Sequence, residues 1–449
     1  MTEDTVSQHI DATPARRLLG VTPWVSSWLG ALSLCTGVIL YALIPETAAF
    51  QMVGCTAIPV WWLIYQTKTL AQPVAGHLLP PGFMWDALRL AAFACWMAIS
   101  ALWAPHATPA LHIAVTFGLY LLCLGVWVNF EDDRTVDQDL DPVRRRLGQA
   151  LVLGYCIALP LIVFEAATNL AGRNAIATAF PALRPGSHHM TVSGAGMVSL
   201  NPYMLNRSIA AVVFLAWPVL LIAHTVLPRA WRTAAVAVLA ALTAACVLVG
   251  QHGSSRLAFG AGVLMFALAS WRALAARRLA LTLWTVVSLL VVPLAAAAYR
   301  AELFRIDALP YSSAHRILIW GYTANDVLRR PFTGVGAAST RFIEQMEKPV
   351  IVRTAKFAFP VSVNVHAHNV YLQVWFELGA IGALLFWFAG LPVIGWISNA
   401  SAAIRPALYA AWATAVAMAS TSYSLTDPWF MASFCLLAVF ARLAVSLRR

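Results

Sequence analysis

Residues 366–382 read HAHNVYLQVWFELGAIG, and they open an apolar run that extends from residue 369 to residue 397. This run exceeds the roughly 20 residues that a helix needs to cross a bilayer. It therefore places the imidazole of His368 at the mouth of a membrane-spanning helix, where a long polar loop re-enters the membrane. Ionisable groups are costly near lipid, so His368 is a candidate functional residue.

The composition of the whole chain is that of a polytopic membrane protein. Of its 449 residues, 60% are hydrophobic and 11% are charged, whereas soluble globular domains are about 25% charged. Apolar runs near the length of a bilayer predict about twelve spans. The predicted spans are residues 23–43, 48–66, 85–104, 109–129, 149–170, 207–227, 233–251, 256–271, 279–299, 369–397, 406–423 and 429–446.

The basic residues of the short loops indicate the orientation of these spans. Lys and Arg crowd the short loops on one side, whereas the short loops on the other side, at 44–47, 105–108 and 424–428, contain none. Short loops rich in Lys and Arg stay in the cytoplasm. We therefore predict that both termini are cytoplasmic, which agrees with an even number of spans.

Two long loops then lie on the outer side of the membrane. Spans one to nine occupy residues 1–299, with the first long loop at 171–206. The second long loop, 300–368, precedes spans ten to twelve in residues 369–449, and a helical pattern within it predicts a small folded cap. The expected fold is all-α, with the cap partly helical.

Charge and motifs limit the partners and cofactors. The net charge is +11, and because no RNA- or DNA-binding motif occurs, we expect membrane lipids and anionic substrates rather than nucleic acid. The seven cysteines lie in apolar runs without a CxxC pattern, which supports neither disulfides nor zinc. The GxxxxGK[ST] motif of ATP-binding loops is absent, and the outward acidic residues form no DxD pair. We predict a reaction that needs no metal, cofactor or ATP.

Two arginines mark the outer mouths of predicted helices. Arg207 follows Asn206 at the entry to the span 207–227, and Arg256 ends the sequence GSSR between two spans. Helix N-termini favour anions, and the planar fork of arginine binds phosphate oxygens in pairs. We predict that these arginines hold a phosphorylated group at the outer interface.

His368 is the candidate general base of this site. An imidazole can accept a proton from a hydroxyl at neutral pH, and such catalysis contributes about 10²–10⁴-fold. His366 remains an alternative because it is only two residues away. Gly379 and Gly382 are expected to permit close contact with a neighbouring helix.

The pattern His368-Asn369, nine residues, Gly379, two residues, Gly382 resembles the signature of the O-antigen ligase and O-antigen polymerase superfamily. Upstream, the sequences RILIW from Arg316 and PFTGVG from Pro331 are similar to loop elements of that family. The Asn206-Arg207 and GSSR sequences also resemble its motifs. The likeness is close over residues 200–390.

This resemblance implies a fold of the C-type glycosyltransferase-like kind, with a periplasmic cap, in the bacterial inner membrane. It also implies transfer of a glycan from undecaprenyl diphosphate to an acceptor hydroxyl, with inversion of the anomeric centre. In the ligase branch the acceptor is a sugar of the lipid A-core oligosaccharide. His368 would act as the base or orient the acceptor, and Arg207 and Arg256 would hold the diphosphate. Further candidates at this site are Arg316, Asn369, Tyr311 and His366.

Other activities fit the same motifs or the same hydropathy. A polymerase of the superfamily transfers glycan to another lipid-linked glycan, and a protein O-oligosaccharyltransferase uses Ser or Thr of a protein. We favour the ligase because the cap is modest in size. A lipid or solute transporter, which belongs to a different class, would be expected to have charges near the membrane midplane and paired broken helices.

Overall fold

The computed structural model describes residues 23–54, 56, 81–132, 137–185, 189–346, 350–361 and 367–448. The described part is mostly helical. Its α-helices are α1 (Pro23–Leu43), α2 (Pro81–Ile99), α3 (Ala107–Asp132), α4 (Asp137–Ala167), α5 (Ala171–Ala179), α6 (Asn206–Val226), α7 (Arg232–Val249), α8 (Gly253–Trp271), α9 (Ala273–Leu289), α10 (Val291–Arg300), α11 (Tyr311–Val327), α12 (Thr340–Met346), α13 (Val370–Asn399), α14 (Arg405–Thr421) and α15 (Pro428–Ser446). Residues 48–54 are also helical.

Long apolar helices form the body of the protein, as the hydropathy predicts. Eight helices of the described part are long and apolar enough to cross a membrane, or nine if α9 and α10, which meet at a bend of 69°, form one span. These helices confirm a polytopic, mainly helical membrane protein. The count of twelve stays a prediction, because α14 has 17 residues and most of the predicted span 48–66 lies outside the described residues.

The centre of the bundle is α6, in which almost every residue is buried. It contacts α4, α7, α14 and α15. A helix that is apolar on all sides is expected at such a position, because every face packs against protein. The functional residues described below lie at the N-terminal end of α6 and at the ends of the helices around it.

The two predicted outer loops contain small elements. In the loop 171–206, α5 precedes an antiparallel hairpin of β1 (Met190–Val192) and β2 (Val198–Leu200). The loop 300–368 contains α11, α12 and a second antiparallel hairpin of β3 (Val350–Arg353) and β4 (Ala358–Val361). The all-α prediction therefore missed two short hairpins, since strands of three or four residues show little periodicity.

Helix α13 is broken at Gly379, which has φ 67° and ψ −167°. The backbone N–H groups of Ala380 and Ile381 donate to the carbonyls of Pro331 (2.8 Å) and Phe332 (3.3 Å). The loop 331–336 thus takes over hydrogen bonds that an unbroken helix would form internally. At Gly379 the expectation of a close helix contact was wrong: a Cβ there would lie 2.3 Å from the backbone of Phe332, which belongs to the loop.

The break predicts a selective effect of alanine at Gly379. Gly379→Ala should lower the free energy of unfolding by about 1–3 kcal/mol or more, because a non-glycine residue is strained in this conformation and its Cβ would meet backbone. The measurement is the Tm of purified protein by fluorescence-detected size exclusion. Gly395→Ala, in the same helix with no atom within 4 Å of its Cβ position, is the control and should keep the wild-type Tm. Equal Tm values for both variants would contradict this account.

Candidate active site

His368 is fixed at the N-terminal end of α13 by three features. Its Nδ1 lies 2.8 Å from the carbonyl oxygen of Ser422, and the indole N–H of Trp320 donates to the carbonyl of Ala367 (2.9 Å). Its own φ is 52°, in the left-handed region. Because a carbonyl oxygen only accepts, Nδ1 carries the proton of a neutral ring, and the lone pair is on Nε2. This tautomer is suited to accept a proton at Nε2.

Asn369 supports His368 through the helix start. It is the N-cap of α13, and its Oδ1 accepts from the backbone N–H of Leu372 (3.1 Å). Side-chain oxygens at this position stabilise the first turn of a helix. The predicted site residue Asn369 is therefore beside His368, where its described hydrogen bond organises the backbone.

Arg316 and His368 both lie near His252. His252 is buried, and its Nδ1 is 2.7 Å from Oγ of Ser255. Burial lowers the pKa of His252, and the positive charges of Arg316 and His368 lower it further. Burial also lowers the pKa of Arg316. The arginine of the sequence RILIW and the histidine of the His368–Gly382 pattern therefore lie near the same buried imidazole.

Tyr423 connects this group with Arg207. Its ring centroid lies 5.7 Å from that of His252. Burial raises the pKa of Tyr423, and the positive charges of Arg207 and Arg316 act in the opposite direction. Both arginines are therefore close enough to influence one phenol. We call His252, Arg207, Arg316, His368 and Tyr423 the outer cluster.

Arg207 lies in the first turn of α6, as the sequence predicts. Its Nη1 forms an ion pair with Oε1 of Glu46, and its guanidinium lies 5.6 Å from the ring centroid of Trp429. The side chain of Arg207 is 46% exposed. A half-exposed guanidinium at a helix N-terminus can receive an anionic ligand, provided that Glu46 gives way or shares it.

Arg256 is in the first turn of α8, but its guanidinium points to the end of α7. One of its nitrogens, Nη2, donates to the carbonyls of Leu248 (2.9 Å) and Gly250 (2.6 Å). Cations at the C-terminal end of a helix stabilise its last carbonyls. The described contacts of Arg256 therefore favour a structural role, and its predicted role as a diphosphate ligand stays a prediction.

The remaining predicted candidates are Tyr311 and His366. The ring of Tyr311 stacks on Phe359 at 4.8 Å and meets Phe357 edge-on at 5.2 Å. Phe357 and Phe359 belong to a small apolar core that includes residues of α11, so the described contacts of Tyr311 join the start of α11 to this core. His366 lies outside the described residues, and the choice between His366 and His368 stays open.

Sequence reasoning missed the buried carboxyl of Glu377. This side chain accepts hydrogen bonds from the backbone N–H of Ala338 (2.9 Å), the hydroxyl of Thr340 (2.5 Å) and the amide of Gln373 (3.0 Å). These bonds fasten the start of α12 to α13. The sequence contains a signal for this site, because a carboxyl inside an apolar run needs hydrogen-bonding partners. Most of these partners are distant in sequence, so the sequence alone does not identify them.

Asp427 is a second carboxyl that the prediction did not use. Its Oδ1 lies 2.5 Å from Nη2 of Arg341, which joins α12 to the loop 422–427. This loop supplies both Tyr423 and the carbonyl of Ser422 that fixes the His368 ring. Helix α12 and the loop 422–427 are therefore held together beside the outer cluster.

Comparisons with known proteins show which proteins this chain resembles. The O-antigen ligase family model matches residues 236–387, which include His252, Arg316, His368 and the break at Gly379. A Rickettsia conorii protein with the provisional name polysaccharide ligase is 26% identical over 358 residues, which cover 79% of this chain and 78% of that protein.

Two further relatives match a shorter region. Proteins of Rickettsia prowazekii and Rickettsia felis with the same provisional name are each 30% identical over 135 residues, which are 30% of this chain and 33% of each relative. The alignments therefore span about a third of the length of these two relatives. Together with the family model, they confirm the resemblance that the His368–Gly382 pattern indicated. Residues 236–387 of this chain are therefore similar to the O-antigen ligase family.

Proposed function

We propose that this protein transfers O-antigen glycan from undecaprenyl diphosphate to a sugar hydroxyl of lipid A-core oligosaccharide. The observation that carries the proposal is the outer cluster, in which His252 and Tyr423 lie between His368, whose tautomer is defined, and the two arginines Arg207 and Arg316. Similarity to the O-antigen ligase family supports glycosyl transfer in general. The donor, the acceptor and the mechanism belong to the proposal.

The proposed base is His368. Its Nε2 would accept the proton of the acceptor hydroxyl while the hydroxyl oxygen attacks the anomeric carbon of the donor. The carbonyl of Ser422 would hold the opposite ring nitrogen and stabilise the imidazolium that forms, because that nitrogen keeps its N–H donor. The attack would form one C–O bond as the bond between the sugar and the diphosphate breaks, which inverts the anomeric centre.

The proposed binding residues for the diphosphate are Arg207 and Arg316. The leaving diphosphate gains negative charge as its bond to the sugar breaks, so arginines aimed at it stabilise the transition state more than the bound donor. Arg316 replaces Arg256 in this proposal, because Arg256 bonds to helix carbonyls whereas Arg316 lies near His252 and Tyr423. The energy of the glycosyl diphosphate drives transfer, so the reaction needs no ATP.

The proposed location is the bacterial inner membrane, with both termini in the cytoplasm and the outer cluster at the periplasmic face. The supporting observation is the distribution of Lys and Arg among the short loops. Multiple apolar helices support the membrane location in general. A lipid-linked donor and a lipid-linked acceptor would both reach the cluster from the outer half of this membrane.

A reconstituted assay tests the function and separates it from its alternatives. Purified protein receives undecaprenyl-diphosphate glycan with or without lipid A-core, in the presence of EDTA and without ATP, and products are resolved by gel and mass spectrometry. The proposal predicts a glycan–lipid A-core product that depends on the acceptor. Longer lipid-linked glycan without lipid A-core would instead indicate the polymerase, and glycan on an added protein acceptor would indicate the protein transferase. A need for added divalent ion would contradict the metal-free mechanism.

A further inference from the structure

Four basic side chains gather at the opposite end of the bundle from the outer cluster. Helices α6, α7 and α15 have 21, 18 and 19 residues, which at 1.5 Å per residue is about 30 Å. Helix α6 begins beside Arg207, α7 ends beside Gly250, and α15 begins beside Trp429. The opposite ends of these three helices therefore lie across the bilayer. We call the side chains at this other end the inner basic cluster: Arg145, His224, Arg232 and Arg448.

Two members of the inner basic cluster bind the C-terminal end of α6. The Nε of Arg448 donates to Oγ1 of Thr225 (2.8 Å), and its Nη2 lies 2.5 Å from Nδ1 of His224. The Nη2 of Arg145 donates to the carbonyl of Val226 (3.1 Å). The negative end of the helix dipole attracts such cations, which explains their position.

One nitrogen of the partly buried Arg232 side chain lacks a hydrogen-bond partner. Arg232 is the first residue of α7, and its Nε is buried without a hydrogen-bond partner. A buried charged donor without a partner is costly. The charge of Arg232, together with burial, lowers the pKa of Arg448, so the two guanidinium groups are close enough to repel.

The described residues provide no counter-charge for these arginines. Among the residues whose side chains the structure describes, which exclude those of residues 128–141, no carboxylate lies within 4.0 Å of Arg145, Arg232 or Arg448. The preference for basic residues in cytoplasmic loops explains positive charge in solvated loops. It does not explain a buried, unpaired Nε beside a second arginine, which an anionic ligand would stabilise.

Trp231 indicates the depth of the inner basic cluster. It precedes Arg232, and its side chain is 70% exposed. Exposed tryptophans are enriched at the level of lipid headgroups. An anion bound at Arg232 would therefore lie where the phosphates of the lipids are, and the N-terminal N–H groups of α7 would add further donors.

We propose that the inner basic cluster binds the phosphate of an anionic phospholipid headgroup in this leaflet, with Arg232 and Arg448 as its main contacts. The site is separate from the outer cluster and does not depend on the proposed glycosyl transfer. The ligand is a lipid rather than free phosphate, because the inner basic cluster lies beside Trp231 and the ends of three spans.

Native mass spectrometry of the purified full-length protein tests the site. The protein is titrated with phosphatidylglycerol and, separately, with phosphatidylcholine. We expect the wild type to retain phosphatidylglycerol in preference to phosphatidylcholine, and the Arg232→Ala/Arg448→Ala variant to bind phosphatidylglycerol about tenfold more weakly, as the loss of charge-assisted hydrogen bonds predicts. Arg278→Ala removes an exposed arginine near the start of α9 on the same side and should bind like the wild type.

A further variant and a control with inorganic phosphate complete the test. Arg232→Gln removes the charge but keeps an N–H donor at about the position of Nε, so it replaces the double variant if that protein elutes as aggregate. Equal retention of phosphatidylglycerol by the wild type and the folded variants would overturn the proposal. The Tm of the wild type is also measured with inorganic phosphate and with phosphatidylglycerol. If inorganic phosphate raises the Tm as much as phosphatidylglycerol does, the ligand is free phosphate and the proposal is overturned.

Discussion

Replacing His368 by alanine is expected to reduce glycan transfer by at least 10²–10⁴-fold, the usual contribution of a general base. The variant removes Nε2, which would accept the proton of the attacking hydroxyl, and it also removes the hydrogen bond to the carbonyl of Ser422. The measurement is the initial rate of product formation in the reconstituted assay. His112→Ala, which changes an exposed histidine of α3, should retain the wild-type rate.

A second variant separates catalysis from backbone strain at this position. His368 has a φ of 52°, and alanine tolerates the left-handed region poorly, whereas asparagine adopts it more readily. The side-chain amide of His368→Asn can still donate to Ser422, but it has no basic nitrogen. This variant should have the wild-type Tm and the same loss of rate as His368→Ala. A rate above half that of the wild type in either variant would contradict the role of His368 as the base.

Replacing Arg207 or Arg316 by lysine is expected to lower kcat/KM for the donor by about 10²-fold, although the charge is retained. Lysine lacks the planar fork that binds two phosphate oxygens, and a charge-assisted hydrogen bond contributes about 1.5–3 kcal/mol. The effect should be similar for both residues if they hold one diphosphate. The measurement is the dependence of the transfer rate on donor concentration.

Arg256 provides the matched comparison for the two arginines. Its Nη2 binds two carbonyls at the end of α7, and an ammonium group can donate to the same oxygens. Arg256→Lys should therefore keep kcat/KM, whereas Arg256→Ala should mainly lower Tm. If Arg256→Lys loses as much kcat/KM as Arg256→Ala, Arg256 is a diphosphate ligand and the assignment to Arg316 is wrong.

The sequence predicts the parts of this protein that depend on local pattern. The starts of α6, α13 and α15 lie within one residue of the starts of the predicted spans, because a polar residue stands at or just before each start and an apolar run follows. The position of His368 at the mouth of α13 follows from the same pattern. The small hairpins in the outer loops were too short to give a periodic signal.

The contacts that complete the site depend on chain segments far apart in sequence. Glu46 and Tyr423 are far from Arg207 in sequence but close to it in the structure, and nothing in their local sequence indicates this partner. The direction of the Arg256 side chain was not predictable either, since a helix N-terminus can hold an arginine that faces a ligand or a neighbouring helix. The sequence pattern identified Gly379 as a position that requires glycine. The reason, a helix break against the loop 331–336, is visible only in the three-dimensional structure.

A cryo-EM structure of the protein with bound undecaprenyl diphosphate tests the central assignment most directly. The account predicts that the diphosphate oxygens lie within hydrogen-bonding distance of the Arg207 and Arg316 guanidinium groups, with the lipid chain in the outer half of the membrane. It also predicts that Nε2 of His368 faces the side of the diphosphate from which the acceptor would attack. A diphosphate bound at Arg256, or at a distance from His368 that a sugar cannot bridge, would contradict the account.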